Sequence, residues 1–221
     1  MKAAIFDMDG LMIDSESVFV WGFTQAGNDL GYEDIETVCK QTIGVTSAMT
    51  KAIFLEHYGA DFDYDGLRNL GRKYITSYYE KNGVPIKSGL FSLLEFLKTA
   101  RFKLAVATST RRESAEKTLF QKTKIGSYFD AVVYGDMLTK SKPEPDIYLM
   151  AAKCIGVEPS KCYAFEDSIN GVKSAYAAGM KVIMIPDLIP PTDEIRSMLY
   201  TCCSSLTEAE KILRNDFSTK E

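Results

Sequence analysis

Asp7-Met8-Asp9-Gly10 closes the apolar run Ala3-Ala4-Ile5-Phe6 and sets two carboxylates one residue apart. Side chains at i and i+2 of an extended segment point to the same side, so Asp7 and Asp9 can share one small pocket. In such a pair one carboxylate can act as a nucleophile and the other as a general acid. Carboxylates this close repel, and a metal ion or a shared proton is needed to hold them together. Gly10 tolerates dihedrals that other residues avoid and lets the chain turn sharply behind the pair. The plainer alternative is a strand-end turn with two solvated aspartates.

The elements that must position this pair are legible as five short apolar runs with polar ends. They are Ala3–Phe6 before Asp7, 104–107 before Thr108, Ala131–Tyr134 before Gly135-Asp136, 163–165 before Glu166-Asp167, and 182–185 before Pro186-Asp187. Continuous apolar runs of this length read as strands buried on both faces, the habit of parallel sheets. Helical patterns lie between them at 111–122, at Asp146–Ile155 after Pro143 and Pro145, and at 169–178 before Gly179. Strands alternating with helices predict an α/β fold, a doubly wound, Rossmann-like parallel sheet. Ligands of such sheets bind outside the carboxyl ends of the strands, where four of the five runs place Asp, Thr or Glu-Asp.

Residues 15–84 behave differently. Phe19, Phe23, Ala26 and Leu30, then Ile35 and Val38, then Met49 and Ile53, then Leu67, Leu70, Tyr74 and Tyr78 recur at helical spacing. Each helix gains one apolar face, and about four such helices make a small bundle inserted after the first strand. The predicted division is therefore a core domain of 1–14 and 85–221 and an inserted helical domain of 15–84, with joints near 14–17 and 81–89. Trp21, Phe23, Tyr74, Tyr78 and Tyr79 read mostly as core of that bundle. The tail after Pro190-Pro191 carries one amphipathic helix, at 207–214.

The 221 residues suit one large or two unequal domains, and a net charge of −4 argues against general nucleic-acid binding. Five cysteines (Cys39, Cys154, Cys162, Cys202, Cys203) without paired spacing are expected to be reduced, which places the chain in the cytoplasm. A strand beginning at once leaves no room for a signal peptide, and no apolar stretch approaches a membrane span.

Taken together, Asp7-Met8-Asp9-Gly10, Ala107-Thr108-Ser109-Thr110, Ser141-Lys142-Pro143 and Phe165-Glu166-Asp167-Ser168 resemble the haloacid dehalogenase superfamily. The chain looks like its phosphatase and β-phosphoglucomutase-like group, which carries a helical cap. The stretches Glu166-Asp167-Ser168-Ile169-Asn170-Gly171-Val172 and Ala177-Ala178-Gly179-Met180 are specific to that group, and the likeness covers essentially the whole chain. It implies an aspartyl-phosphate on Asp7, with Asp9 protonating the departing alkoxide and then deprotonating water. It implies Mg²⁺ held by the Asp7 carboxylate, the Asp9 carbonyl oxygen and Asp167, with Glu166 either a further ligand or the holder of a metal-bound water. Lys142 would neutralise the nucleophile and a phosphoryl oxygen, Thr108 would donate to another, and backbone amides near Met8, Asp9 and Ser109 would complete the cradle. Read singly, Lys142 is a surface lysine, Thr108 a strand-end cap and Glu166-Asp167 a charged helix start. Their joint placement at sheet ends favours chemistry.

Asp9 also selects among reactions. Dehalogenases resembling this fold lack it and need no metal, and phosphonate hydrolases replace it and use a cap lysine. Mutases of the group carry a His and an Arg where Phe19 and Ser47 stand here, so hydrolysis leads and a phosphosugar mutase is the rival. A non-catalytic phospholigand-binding module has no need of Asp9. The expected partner is a small phosphorylated metabolite, with sugar phosphates first and nucleotide-like phosphates next, and the expected state a monomer. Candidate substrate contacts in the cap are Ser15, Glu16, Thr46, Lys51, Arg72 and Lys73; His57 reads as a helix-face residue.

Overall fold

A computed structural model describes residues 1–45 and 47–218. Six strands, β1 (Ala3–Phe6), β2 (Lys103–Thr108), β3 (Ala131–Tyr134), β4 (Cys162–Glu166), β5 (Lys181–Met184) and β6 (Leu199–Cys202), form one sheet in the order β3-β2-β1-β4-β5-β6. Every pairing is parallel. β1 is central, with Ala3 opposite Lys103 on one side and Cys162 on the other. All four of its side chains are buried, as a strand covered on both faces requires. The Phe6 and Phe165 rings stack at 4.4 Å across β1 and β4, just below the strand ends.

The chain divides into two compact units, Met1–Ile13 with Ile86–Glu221, and Asp14–Pro85. The second is helical: α1 (Ser15–Leu30), α2 (Ile35–Gln41), α3 (Ser47–Tyr58) and α4 (Tyr64–Asn82). α1 packs along α4, and glycines set how close they come. A Cβ at Gly22 would stand 2.7 Å from Ile75, and one at Gly71 would stand 2.7 Å from the Phe23 ring. Phe23, Phe54 and Leu67 fill the centre of this unit, whereas Met49 and Trp21 are exposed. Trp21 instead lies against Tyr74 and Tyr78 on the outside, so only part of the predicted aromatic core is core.

In the first unit, α5 (Leu90–Thr99), α6 (Arg112–Glu116), α7 (Asp146–Ile155), α8 (Ile169–Ala177), α9 (Asp193–Arg196) and α10 (Leu206–Ser218) surround the sheet. α7 and α8 supply Ile147, Tyr148, Ala151, Val172 and Ala175 to one buried layer with β1, β2 and β4. Three expectations need correction. The helix predicted at 111–122 is α6 followed by a wider turn at Lys117–Lys122, where Thr123 Oγ1 donates to Thr118 O. β6 is a sixth strand beyond the five predicted, and its exposed or half-buried edge residues make no apolar run. The tail helix is longer than predicted, because α10 starts at Leu206 and continues to Ser218, with the Phe217 ring packed against Phe102 and Tyr163. Among the described residues no helix is long and apolar enough to cross a membrane.

Candidate active site

The carboxyl ends of β1, β2 and β4 bring the sequence-derived residues together. The Asp7 N–H donates to Phe165 O at 3.0 Å, so the nucleophile candidate is fixed by one more rung of the β1–β4 ladder. Beyond it the chain doubles back, with the Met12 and Ile13 N–H groups both donating to Met8 O. Gly10 takes φ +81°, a left-handed conformation that a β-carbon would strain. Met8 is buried in this loop and its side chain contributes apolar filling.

Asp7 and Asp9 end in different surroundings. Asp7 is buried, and its Oδ1 accepts from Lys142 Nζ at 2.5 Å. Asp9 is half-buried, and its Oδ2 accepts from Thr110 Oγ1 at 2.6 Å and, at the long limit of 3.5 Å, from Thr108 Oγ1. Thr108 is fully buried and its Oγ1 accepts from the Thr110 N–H, which ties the turn after β2 to the second carboxylate. Ser109 lies between them with an exposed side chain.

Lys142 Nζ also donates to Glu166 Oε1 at 2.5 Å, so a buried ammonium bridges two buried carboxylates from β1 and β4. Glu166 is saturated with donors. Oε1 also accepts from Tyr148 OH at 2.5 Å, and Oε2 from the Asp167 N–H, the Ser168 N–H and Ser168 Oγ. Ser168 caps α8 by accepting from the Gly171 N–H, and Gly171 leaves the space that the Glu166 carboxylate fills.

Burial pushes the Asp7 carboxyl up to about 8, against the pull of Lys142 and with Glu166 and Asp9 adding to the rise. Burial acts to lower Lys142, but Asp7 and Glu166 outweigh it and hold the ammonium above its ordinary value. Burial, followed by the Glu166 and Asp7 charges, keeps the Tyr148 phenol protonated, so it acts as a donor. Carboxylates thus crowd this end of the sheet, and Lys142 bridges two of them, Asp7 and Glu166.

Asp7, Glu166 and Asp167 each present a carboxylate oxygen within 4.8 Å of the others. A buried set of hard oxygen donors with excess negative charge suits a hard divalent cation such as Mg²⁺. A cation near Asp7 and Asp167 reaches Glu166 only at the expense of one of that residue's existing hydrogen bonds.

Of the cap candidates, Ser15 and Glu16 begin α1 and Arg72 and Lys73 are exposed on α4. Lys51 is paired with Asp65 at 2.9 Å within the helical unit, and Thr46 lies outside the described residues. Phe19 rests on Phe23, and His57 is exposed on α3. Sequence reasoning gave no role to Thr110, Tyr148, Ser168 or Gly171. Thr110, Ser168 and Gly171 were within motifs already noted, whereas no local signal marks Tyr148, whose partner is 18 residues further along the chain.

Comparison with known proteins agrees with this arrangement. The family model described as haloacid dehalogenase-like hydrolase matches residues 4–185. The chain is 31% identical over 216 residues to a phosphorylated carbohydrates phosphatase of Thermotoga maritima, covering 96% of this chain and 97% of that protein. It is 30% identical over 181 residues to the fructose-1-phosphate phosphatase YqaB of Escherichia coli, covering 81% and 93%. A Thermotoga maritima crystal structure, named provisionally as a β-phosphoglucomutase, superposes with a TM-score of 0.80 at 26% identity, covering 97% and 99%. Fold, strand-end carboxylates and sequence thus agree: the chain belongs to the haloacid dehalogenase-like hydrolases.

Proposed function

We propose that the protein is a Mg²⁺-dependent phosphatase of small phosphorylated metabolites, sugar phosphates foremost, working through an aspartyl-phosphate on Asp7. The observation that carries this reading is the contrast between the two carboxylates. Asp7 is buried against Lys142, whereas Asp9 is held apart by Thr108 at the end of β2 and Thr110 in the turn that follows it. Two titratable groups in different environments are how one site separates a nucleophile from an acid. Because burial alone favours a protonated Asp7, that residue needs positive charge beside it to serve as the nucleophile.

Lys142 keeps its proton and offers charge to Asp7 and to an incoming phosphoryl oxygen. An Asp7 oxygen forms the bond to phosphorus while the phosphorus–alkoxide bond breaks, and the alkoxide takes its proton from Asp9. Water then attacks the phosphorus of the acyl phosphate and gives a proton to Asp9, which releases phosphate, restores the Asp7 carboxylate and returns Asp9 to its acid form. Asp7 and Asp167, with Glu166 beside them, would hold the Mg²⁺, whose charge would keep Asp7 ionised and offset the phosphoryl oxygens. Phosphate monoesters hydrolyse so slowly in water that enzymes accelerate the reaction by up to about 10²¹-fold, chiefly through positioning and charge.

Under the same reading the unit Asp14–Pro85 serves as a cap that selects substrate by shape. The names of the Thermotoga maritima and Escherichia coli relatives, a phosphorylated carbohydrates phosphatase and a fructose-1-phosphate phosphatase, support a sugar phosphate. The mutase reading draws on the named structural relative, but Phe19 and Ser47 stand where the mutases resembling this chain have His and Arg.

The test is phosphate release from a panel of sugar and nucleoside monophosphates, with Mg²⁺ and with EDTA, for wild type and Asp7→Asn. Release that requires Mg²⁺ and disappears in the variant is expected. No release from any substrate, with β-glucose 1-phosphate converted to glucose 6-phosphate, would transfer the reading to the mutase.

A further inference from the structure

A phenol buried against a catalytic lysine is not required by the chemistry above, yet one is present. Tyr148 lies on α7, six positions after Lys142, and is fully buried. Its hydroxyl donates to Glu166 Oε1 at 2.5 Å and is 3.5 Å from Lys142 Nζ, and that ammonium sits 5.0 Å from the ring centroid. Glu166 in turn shares Oε1 between this phenol and Lys142, while its Oε2 is occupied by the start of α8.

A carboxylate offers about four lone-pair sites, and all those of Glu166 are taken by protein donors. Its part is then to hold Lys142, and what holds Glu166 at the lysine end is the phenol. We infer that Tyr148 is a positioning residue: by fixing Glu166 Oε1 it aims Lys142 Nζ at Asp7 and at the phosphoryl oxygens beside it. This rests on the phosphatase reading for its catalytic consequence, but the geometric claim concerns how tightly the site grips a phosphate. A phenylalanine would fill the same space without the hydrogen bond. Glu166 would then keep Lys142 alone on that oxygen, and the ammonium could drift away from Asp7.

Tyr148→Phe is compared with wild type in two measurements, steady-state phosphate release and calorimetric titration with inorganic phosphate in Mg²⁺. Partners of this kind are worth about 10–100-fold in activity or affinity. The expected result is a fall of about tenfold or more in kcat, with a smaller change in KM and weaker phosphate binding. Tyr163→Phe, which deletes the same hydroxyl from a buried position on β4, is the control and should change neither. In a Glu166→Gln background Tyr148→Phe should cost clearly less than in wild type, because residues acting through one partner are not additive.

A merely structural role would lower Tm and leave kcat and phosphate affinity unchanged, which overturns the inference. An equal penalty with and without Glu166 also overturns it. Wild type that binds phosphate but releases none from any ester refutes the hydrolase reading alone, and the titration then decides Tyr148. Wild type that binds no phosphate overturns both.

Discussion

Gly171→Ala offers a sharp test because local and tertiary effects oppose each other. Gly171 lies inside α8, where alanine normally stabilises by about 0.8–1.0 kcal/mol relative to glycine. In this fold, however, the new methyl would stand 2.0 Å from the Cδ and both carboxylate oxygens of Glu166. Ordinary van der Waals contact begins near 3.4 Å, so the carboxylate must move by more than an ångström. It cannot do so freely, since Lys142, Tyr148 and the backbone amides of Asp167 and Ser168 all hold it. Overpacking costs about 1–3 kcal/mol, and losing one hydrogen bond to a buried charge costs about 1.5–3 kcal/mol. Less the helix-propensity gain, the net destabilisation is about 2–5 kcal/mol, a fall in Tm of about 4–20 °C at this chain length. A misplacement of about 1 Å at a catalytic lysine's partner costs about 10²-fold in turnover. Urea unfolding followed by circular dichroism and phosphate release with Mg²⁺ read the two effects separately. A variant as stable as wild type with kcat within a factor of about two would show that Glu166 need not stay where it is, and the account of Lys142 would fail with it.

Asp9→Asn should retain binding of inorganic phosphate by calorimetry and lose turnover by about 10²–10⁴-fold, as expected for a lost general acid. Lys142→Met leaves Asp7 and Glu166 buried without their shared cation, so urea titration of metal-free protein should show a loss of about 3–5 kcal/mol. Thr110→Val removes the shorter donor to Asp9 and should lower kcat more than it raises KM, since it misdirects the acid without touching the nucleophile. Burial holds the Cys39 thiol up near 12 and those of Cys162 and Cys203 near 11, so at pH 8 their thiolate fractions are negligible. Iodoacetamide followed by mass spectrometry should therefore label the exposed Cys154 before these three.

What the sequence disclosed and what it concealed have a common cause. Asp7, Thr108 and Glu166-Asp167 were legible because each closes an apolar strand, and a parallel sheet collects strand ends in one place. Lys142 was found through the family's motif, and only the fold shows why it can be buried: two carboxylates meet it there. Tyr148 was hidden because it lies on an apolar helix face where a tyrosine reads as core, which it also is. Gly171 stood in the family's motif without a role of its own, and its purpose depends on a side chain arriving from β4. β6 was missed for a plain reason: an edge strand with half-exposed residues lacks the continuous apolar run that betrays its buried neighbours.

The central place of β1 bears on how the chain folds. Its four residues are all apolar, yet their backbone partners begin at positions 103 and 162, beyond the whole of the helical segment Asp14–Pro85. Helices close their hydrogen bonds locally and form in microseconds, whereas distant strand pairing must first meet the entropy of closing large loops. The inserted bundle can therefore order itself while the strand that precedes it is still unpaired. During that interval Ala3-Ala4-Ile5-Phe6 is a short greasy segment with open edges, the kind of segment that chaperones hold and aggregates recruit. A polar residue at Ala4 would make the waiting strand safer, but it would place that polarity in the middle of the finished sheet.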